Sequence, residues 1–397
     1  MTLNSSPRLK VMRLIARLNI GGPAIHTTLL TERLNRDRFE SLLVTGVEAE
    51  NEGNMLDLMG TRGLQSELRP IVIPSLGREI SPKNDLNTLR EVVRLMRREK
   101  PHIVHTHTAK AGFVGRMAAR IARVPIVVHT FHGNVFKGYF SPAKARLFIQ
   151  IERSLARSTD CIIVLSEQQR AEILQLGIGQ PKQFQVIPLG LDLQPFLQAE
   201  ALRGQLRQEL SIAPTTPLIG VVARLVPIKA IHFFIEAAQQ VIQTHPEAVF
   251  LIVGDGEMRT SLETQARAAN LGDSVRFLGF RSDLPRIYAD LDCSVLCSLN
   301  EGLPVAVIEA LAAARPVVAT NVGGVGDLIH PEKTGWLVPT QDVSQIATAI
   351  RAALDDSARA NSFGQQGRSL VYPALDIRRL VTDIEALYEK LAQLKQI

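Results

Sequence analysis

The sequence predicts an α/β protein made of two Rossmann-like domains, each a doubly wound parallel sheet, facing a cleft. Three observations carry this. Short runs rich in Val, Ile and Leu alternate with longer stretches of helical periodicity. The runs are apolar throughout instead of alternating with polar residues, as parallel strands covered by helices on both faces require. The alternation occurs twice, on either side of Val186-Ile-Pro-Leu-Gly-Leu-Asp192, where Pro188 and Gly190 punctuate a turn.

Taken in order, strands of the first half are expected at Val11–Leu18, Ser41–Val47, Ile71–Pro74, His102–Thr106, Pro125–His129 and Cys161–Leu165. Those of the second half are expected at Leu218–Ala223, Ala248–Val253, Val275–Leu278, Cys293–Cys297 and Pro316–Ala319. The domains are expected to span residues 1–188 and 189–372, and 373–397 to hold a last helix, Leu375–Leu394, of mixed charge with no strand after it.

The 397 residues suffice for two ordinary domains, and 46% hydrophobic with 21% charged residues describes a soluble globular chain. Cys161, Cys293 and Cys297 all lie in apolar runs, so buried free thiols in a reducing compartment are expected. Cys293 and Cys297 are four apart, but no second Cys or His pair has zinc spacing, so no metal site is expected. The first thirty residues lack a signal peptide's apolar core, and no stretch reaches the length of a membrane span. A cytoplasmic location is expected. The net charge of +6 divides into +11 over residues 1–190 and −5 over 191–397. The basic half suits an anionic membrane surface or an anionic lipid acceptor, since no nucleic-acid motif accompanies it.

Ligands of such sheets bind beyond the carboxyl ends of the strands, so the motifs there hold the chemistry. The first strand runs into Gly21-Gly22-Pro23, where backbone can approach a phosphate; an ordinary strand-to-helix turn is the competing reading. The fifth ends in His129-Thr-Phe-His132-Gly133, and His132 there can contact a substrate hydroxyl or stabilise charge. His105 and His107 end the preceding strand and could line the same cleft, but read more simply as structural. In the second half, Arg224 leaves a strand end and Lys229 starts the next helix, a pair of cations suited to a diphosphate. Gly254-Asp-Gly256-Glu-Met-Arg259 begins like a dinucleotide fingerprint, but Arg259 replaces the third glycine, so it reads as a tight turn. Arg281, after Leu278-Gly-Phe, could stand beside a base whose edge the nearby backbone reads. Asp290-Leu-Asp292 matches the D-x-D of metal-dependent sugar transferases, yet it precedes a strand and reads as a helix end. In Ser298-Leu-Asn-Glu301-Gly-Leu-Pro-Val-Ala-Val-Ile-Glu309, two carboxylates lie eight positions apart across a turn-to-helix junction. Eight residues is a little over two helical turns, which would put both near one edge of a helix whose N-terminus attracts anions. Gly323-Gly324 repeats the strand-end glycine theme, with a simple turn as the equal alternative. The basic helix Ser141–Ser158 could lie on an anionic bilayer, but reads more plainly as a cover for the sheet.

Together these residues resemble the retaining glycosyltransferases of the GT-B fold, family 4, along nearly the whole chain. Glu301…Glu309 looks like that family's E-x7-E element, Arg224 and Lys229 like its R-x4-K clamp, and Ile187–Asp192 like its interdomain linker. Gly21-Gly22, followed by His26, is similar to the N-terminal loop that closes on the donor. By that resemblance Glu309 would bind the ribose and Glu301 a hydroxyl of the donor sugar. Arg224, Lys229 and the turn Gly302-Leu303-Pro304-Val305, through the amides of Leu303–Val305, would hold the diphosphate. His132 would stand at the sugar's reducing carbon. The last helix would cross back to brace the first domain. The stretch Phe131–Pro142 is similar to bacterial enzymes of surface-polysaccharide assembly. Ala230 stands where glycine commonly follows the lysine, and Cys297 where proline often precedes the serine. The implied activity moves a sugar from a nucleotide diphosphate, UDP first and GDP second, to a hydroxyl of a lipid-linked or polysaccharide acceptor. No metal or cofactor is implied. The rival readings are a sugar-nucleotide epimerase of the same fold, a non-catalytic two-lobed sugar-binding protein and, argued against by Arg259, an NAD-dependent dehydrogenase.

Overall fold

A computed structural model describes residues 8–19, 21–48, 55, 68–77, 82–133 and 142–397. The chain forms two compact units, the first Met1–Leu191 with Ile377–Ile397 and the second Asp192–Asp376. Their limits therefore fall three residues after the expected break at 188 and four after that at 373.

The first unit holds β1 (Leu9–Ile15), β2 (Phe39–Thr45), β3 (Ile71–Val72), β4 (Ile103–His107), β5 (Ile126–Thr130), β6 (Cys161–Val164) and β7 (Phe184–Val186) in one sheet. The strand order is β3-β2-β1-β4-β5-β6-β7, and every pair is parallel. The central strands are apolar on both faces because helices cover both: Val11, Ile15, Ile103 and Val128 pack to one side, and Met12, Leu14, Val104 and Val127 to the other. The terminal helix Ile377–Lys395 belongs to this unit. Its Ile377, Leu380, Ile384, Leu387, Tyr388 and Leu391 recur every three or four residues and join the first of those two faces. Polar contacts fix its approach: Glu385 accepts from the amide of Asn35 at 2.7 Å, and Arg379 donates to the carbonyls of Pro188 and Leu189 at 2.9 and 2.8 Å.

The second unit holds β8 (Leu218–Val222), β9 (Val249–Val253), β10 (Val275–Gly279), β11 (Cys293–Leu296), β12 (Val317–Thr320) and β13 (Trp336–Val338) in the order β10-β9-β8-β11-β12-β13, again all parallel. Two edge strands, β7 and β13, were not foreseen. Each has three residues, too few to show a pattern. The other strands shift from their expected limits by one to three residues, partly because polar His107, Thr130 and Thr320 continue the ladder.

Chain order reverses between β1 and β4 in one sheet and between β8 and β11 in the other. These switch points open a crevice at the strands' carboxyl ends. At the opposite end Asp290 and Asp292 are structural. Asp290 accepts from the amides of Gly204, Leu206 and Arg207 at the start of helix Gln205–Glu209, and Asp292 from Leu218 and the Arg207 guanidinium. The expected basic helix forms over Pro142–Ala156. Most of the stretch likened to polysaccharide enzymes, residues 134–141, lies outside the described residues, as does Ile20.

Candidate functional site

In the second unit the switch point assembles a cluster around one carboxylate oxygen. After β8 the chain makes a tight turn, Pro227–Lys229, and Ala230 takes the left-handed conformation at φ 49° before helix Ile231–Val241. Glycine adopts that conformation without cost, which gives a physical reason for its frequency at this position in the family. The amide of Leu299 donates to the carbonyl of Ile228 at 2.9 Å and so ties the loop after β11 to this turn. Lys229 Nζ thereby comes within 2.5 Å of Glu301 Oε1. Ser298 Oγ donates to the same oxygen at 2.6 Å, and Thr320 Oγ1 donates to the Ser298 carbonyl at 2.7 Å. Side-chain exposure is 20% for Lys229 and 9% for Glu301, so the pair is shielded from solvent screening. An ammonium carries three donors, so Lys229 keeps two for a ligand. Among the described residues Glu301 Oε2 accepts nothing, which leaves it for a hydroxyl.

The loop after β12 clamps this arrangement. Gly324 donates its amide to the Gly302 carbonyl at 2.8 Å. Gly323 has φ +52°, and a Cβ there would lie 1.8 Å from the Glu301 carbonyl oxygen, so only glycine fits. Helix Val305–Ala312 follows, with Pro304 at its cap, no side-chain cap and no acidic residue in its first turn. Its first amides and the positive end of its dipole are therefore available to an anion. Pro304 has no N–H, so the expected set of amides from 303 to 305 reduces to Leu303 and Val305. The two-turn argument for the glutamates also needs correction. Glu301 precedes the helix by four residues, and only Glu309 lies on it, 5% exposed.

Arg224 is itself exposed, between β8 and the turn, and among the described residues it forms no ion pair. Arg281 is differently placed. Its guanidinium is held by Asp283 at 2.7–2.8 Å and by Glu209 at 2.6–3.1 Å, and these carboxylates raise its pKa. The side chain expected beside a base is thus committed to partners in its own unit. Gly254-Asp-Gly256 makes the expected tight turn, with Asp255 paired to Arg259 at 2.8 Å.

In the first unit, Gly21 and Gly22 open helix Gly22–Arg33 after β1, again without a side-chain cap. A Cβ on Gly21 would meet nothing nearer than 4.0 Å. His105 and His107, expected from the sequence to end the strand beside that of His132, do come together with it, and more side chains join them than strand-end position implies. His26 from this helix, His105 and His107 from β4 and His132 just beyond β5 lie together with Arg13 and Tyr388, while His129 of β5 faces Thr106 and Phe131. His105 is satisfied on both nitrogens, by Tyr388 Oη and Thr130 Oγ1, each at 2.7 Å. His129 meets Thr106 Oγ1 at 2.8 Å. His107 Nδ1 lies 2.9 Å from His132 Nε2, which fixes the His132 ring and leaves its Nδ1 without a partner among the described residues. Burial, followed for most of them by the neighbouring histidines and Arg13 or Arg116, holds His26, His105, His107 and His129 well below the usual imidazole pKa. His132 keeps part of its surface open, yet desolvation pushes its pKa down to about 3. It is neutral at ordinary pH and can hydrogen-bond but not carry charge. Arg13 and Tyr388 were invisible in the sequence because one lies in an apolar strand and the other in a helix 375 residues away.

The comparisons with known proteins agree with this architecture. Residues 21–190 match the model for the glycosyl transferase 4-like domain, and residues 203–370 that for glycosyl transferases group 1. The chain is 33% identical over 329 residues to the UDP-Gal:alpha-D-GlcNAc-diphosphoundecaprenol alpha-1,3-galactosyltransferase of Escherichia coli, covering 82% of this chain and 84% of that one. It is 27% identical to the capsular polysaccharide biosynthesis glycosyltransferase CapM of Staphylococcus aureus, over 80% and 84%. Among solved structures, Anabaena HepE in complex with UDP and glucose superposes with a TM-score of 0.79 at 22% identity, over 96% of this chain and all of that one. Sucrose-phosphate synthase from Thermosynechococcus elongatus does so at 0.80 and 24%, over 98% and 100%.

Proposed function

The chain belongs to the group 1 glycosyl transferases, of the GT-B fold and family-4 type, and on that premise we propose that it moves a sugar from a UDP-sugar to a hydroxyl of a lipid-linked acceptor with retention of configuration. The observation that carries the proposal is the Lys229–Glu301–Ser298 cluster at the β8/β11 switch point, beside an uncapped helix N-terminus.

When the bond from the anomeric carbon to the phosphate oxygen breaks, its electron pair stays with the diphosphate. The two remaining Lys229 donors, the Arg224 guanidinium and the amides of Leu303 and Val305 meet that developing charge more strongly than they meet the intact donor, which is how binding becomes rate. Glu301 Oε2 takes a hydroxyl of the sugar, and Glu309 the ribose. The family resemblance alone assigns His132 to the sugar's reducing carbon, where it acts as a neutral group. No carboxylate of the cluster is assigned as a covalent nucleophile, so the acceptor hydroxyl attacks the face the diphosphate leaves and gives its proton to the departing phosphate oxygen. Side-chain cations and amides supply the counter-charge, so transfer is proposed to run in the presence of a chelator.

The Escherichia coli relative, whose name specifies a UDP-sugar and a diphosphoundecaprenol-linked acceptor, supports UDP and a lipid-linked acceptor for this chain. The basic helix Pro142–Ala156, with Lys144 and Arg146 beside a Leu147 that is 59% exposed, supports a peripheral contact with an anionic membrane. The test offers the purified chain UDP-, GDP- and ADP-sugars with polyprenyl-diphosphate-linked N-acetylglucosamine, with and without EDTA. UDP release that needs the acceptor and yields an axial linkage from an α-donor is the expected result. Release from GDP-sugars alone, or an inverted product, would overturn the donor or the stereochemistry.

A further inference from the structure

We propose that His26, His107 and His132, at the β1/β4 switch point of the first unit, form a binding site for one divalent transition-metal ion, zinc in the first instance. One ring nitrogen from each comes within 4.8 Å of the others. The ring centroids are 5.0, 5.2 and 5.7 Å apart. Tetrahedral zinc with Zn–N bonds of about 2.0–2.1 Å places neighbouring nitrogens about 3.3 Å apart. His107 Nδ1 and His132 Nε2 stand at 2.9 Å and open by about 0.4 Å, while the widest separation, at most 4.8 Å, closes by up to about 1.5 Å to reach that spacing.

The hydrogen-bond inventory singles out this triad from the surrounding histidines. His105 and His129 are anchored by Tyr388, Thr130 and Thr106. His26 is 1% exposed, and both its ring nitrogens lack a partner among the described residues; His107 Nε2 lacks one as well. Buried polar atoms without partners call for a ligand that uses them. A cation uses one of the His26 nitrogens without releasing a proton: the hydrogen bond between His107 and His132 gives way, and each ring binds through one lone pair while its N–H resides on the other nitrogen, which for His26 and His107 keeps no partner among the described residues. Burial already keeps the rings neutral. Three imidazoles select zinc, copper or nickel over magnesium, calcium or manganese. The opposing force is Arg13, whose guanidinium is held nearby by Ser41 and Tyr388 and repels a dication. Affinity should therefore fall below that of structural zinc sites. Three elements of distant sequence supply the ligands, so no spacing rule could reveal the site.

The test strips the full chain with chelator and titrates it with zinc against a chromophoric chelator. Cobalt is then substituted to read its visible spectrum. The expected result is one saturable zinc per chain, four-coordinate cobalt absorption, and binding weakened at least about tenfold in His26→Phe and in His107→Gln. Wild-type binding no tighter than that of both variants would overturn the proposal. Ring-nitrogen NMR of the wild type decides the matter if a variant fails to fold. Zinc must move the resonances of His26, His107 and His132 and leave those of His105 and His129 in place; the reverse pattern would also overturn it.

Discussion

Lys229 and Ser298 converge on one oxygen of Glu301, and this shared contact sets what a substitution does. Lys229→Ala removes the cation but leaves Ser298 to hold the carboxylate. The transfer rate constant kcat/KM should fall about 10²–10³-fold, the usual loss for a transition-state donor, while circular dichroism shows a folded chain. Full activity in that variant would remove the clamp from the mechanism. Gly323→Ala works through shape. Its methyl would meet the Glu301 carbonyl at 1.8 Å in a left-handed backbone, so the loop must shift. A loss of about 1–3 kcal/mol in denaturant unfolding is expected, together with reduced activity. Strand-end position and spacing in the sequence point to Lys229 and Glu301, which the structure pairs, and to Arg224, which it leaves exposed. The fate of Arg281 was not legible, since Glu209, one of its two partners, is 72 residues away. Of the histidine triad, His107 and His132 were legible as ends of neighbouring strands, and only the approach of His26 was hidden.

At the scale of elements, the helix Ile377–Lys395 does more than cover a face. Tyr388 Oη bridges Arg13 at 3.3 Å and His105 at 2.7 Å, and so links the end of the chain to β1 and β4. Tyr388→Phe keeps the packing and leaves two buried polar groups short of a partner. The expected cost is about 1–3 kcal/mol, read as a melting shift of about 2–4 °C per kcal/mol for a unit of this size. An unchanged melting temperature would show that the hydroxyl contributes nothing. The helix and its apolar stripe could be read from periodicity. Its hydroxyl's task could not, because periodicity locates a face but not the polar atom across from it.

At the scale of the molecule, the first unit concentrates five histidines with lowered pKa: His26, His105, His107, His129 and His132. In the unfolded chain each takes up a proton near pH 6.5, whereas in the folded unit each stays neutral, His132 down to about pH 3. The unfolded state thus binds more protons below about pH 6.5, and stability falls as pH drops through that range, by up to about 1.4 kcal/mol per pH unit for each histidine. Melting followed from pH 8 to pH 4.5, with hydrogen exchange to locate the loss, should show a plateau above pH 7 and early opening of β1, β4 and β5 below it. A flat profile would contradict the buried, neutral state of these rings. The parallel architecture was fully readable in the apolar runs, while the three-residue edge strands and the last helix's membership of the first unit depend on contacts no local pattern records.

The central claim is that the second unit grips a diphosphate through Lys229 and its neighbours, and equilibrium binding of UDP and uridine to the wild type and Lys229→Ala tests it most directly. The account predicts that the wild type binds UDP at least about tenfold more tightly than uridine, a charge-assisted difference of about 1.4 kcal/mol or more, and that Lys229→Ala loses this advantage while uridine affinity holds. Equal affinity of the wild type for UDP and uridine, or a variant that binds UDP as the wild type does, would contradict it.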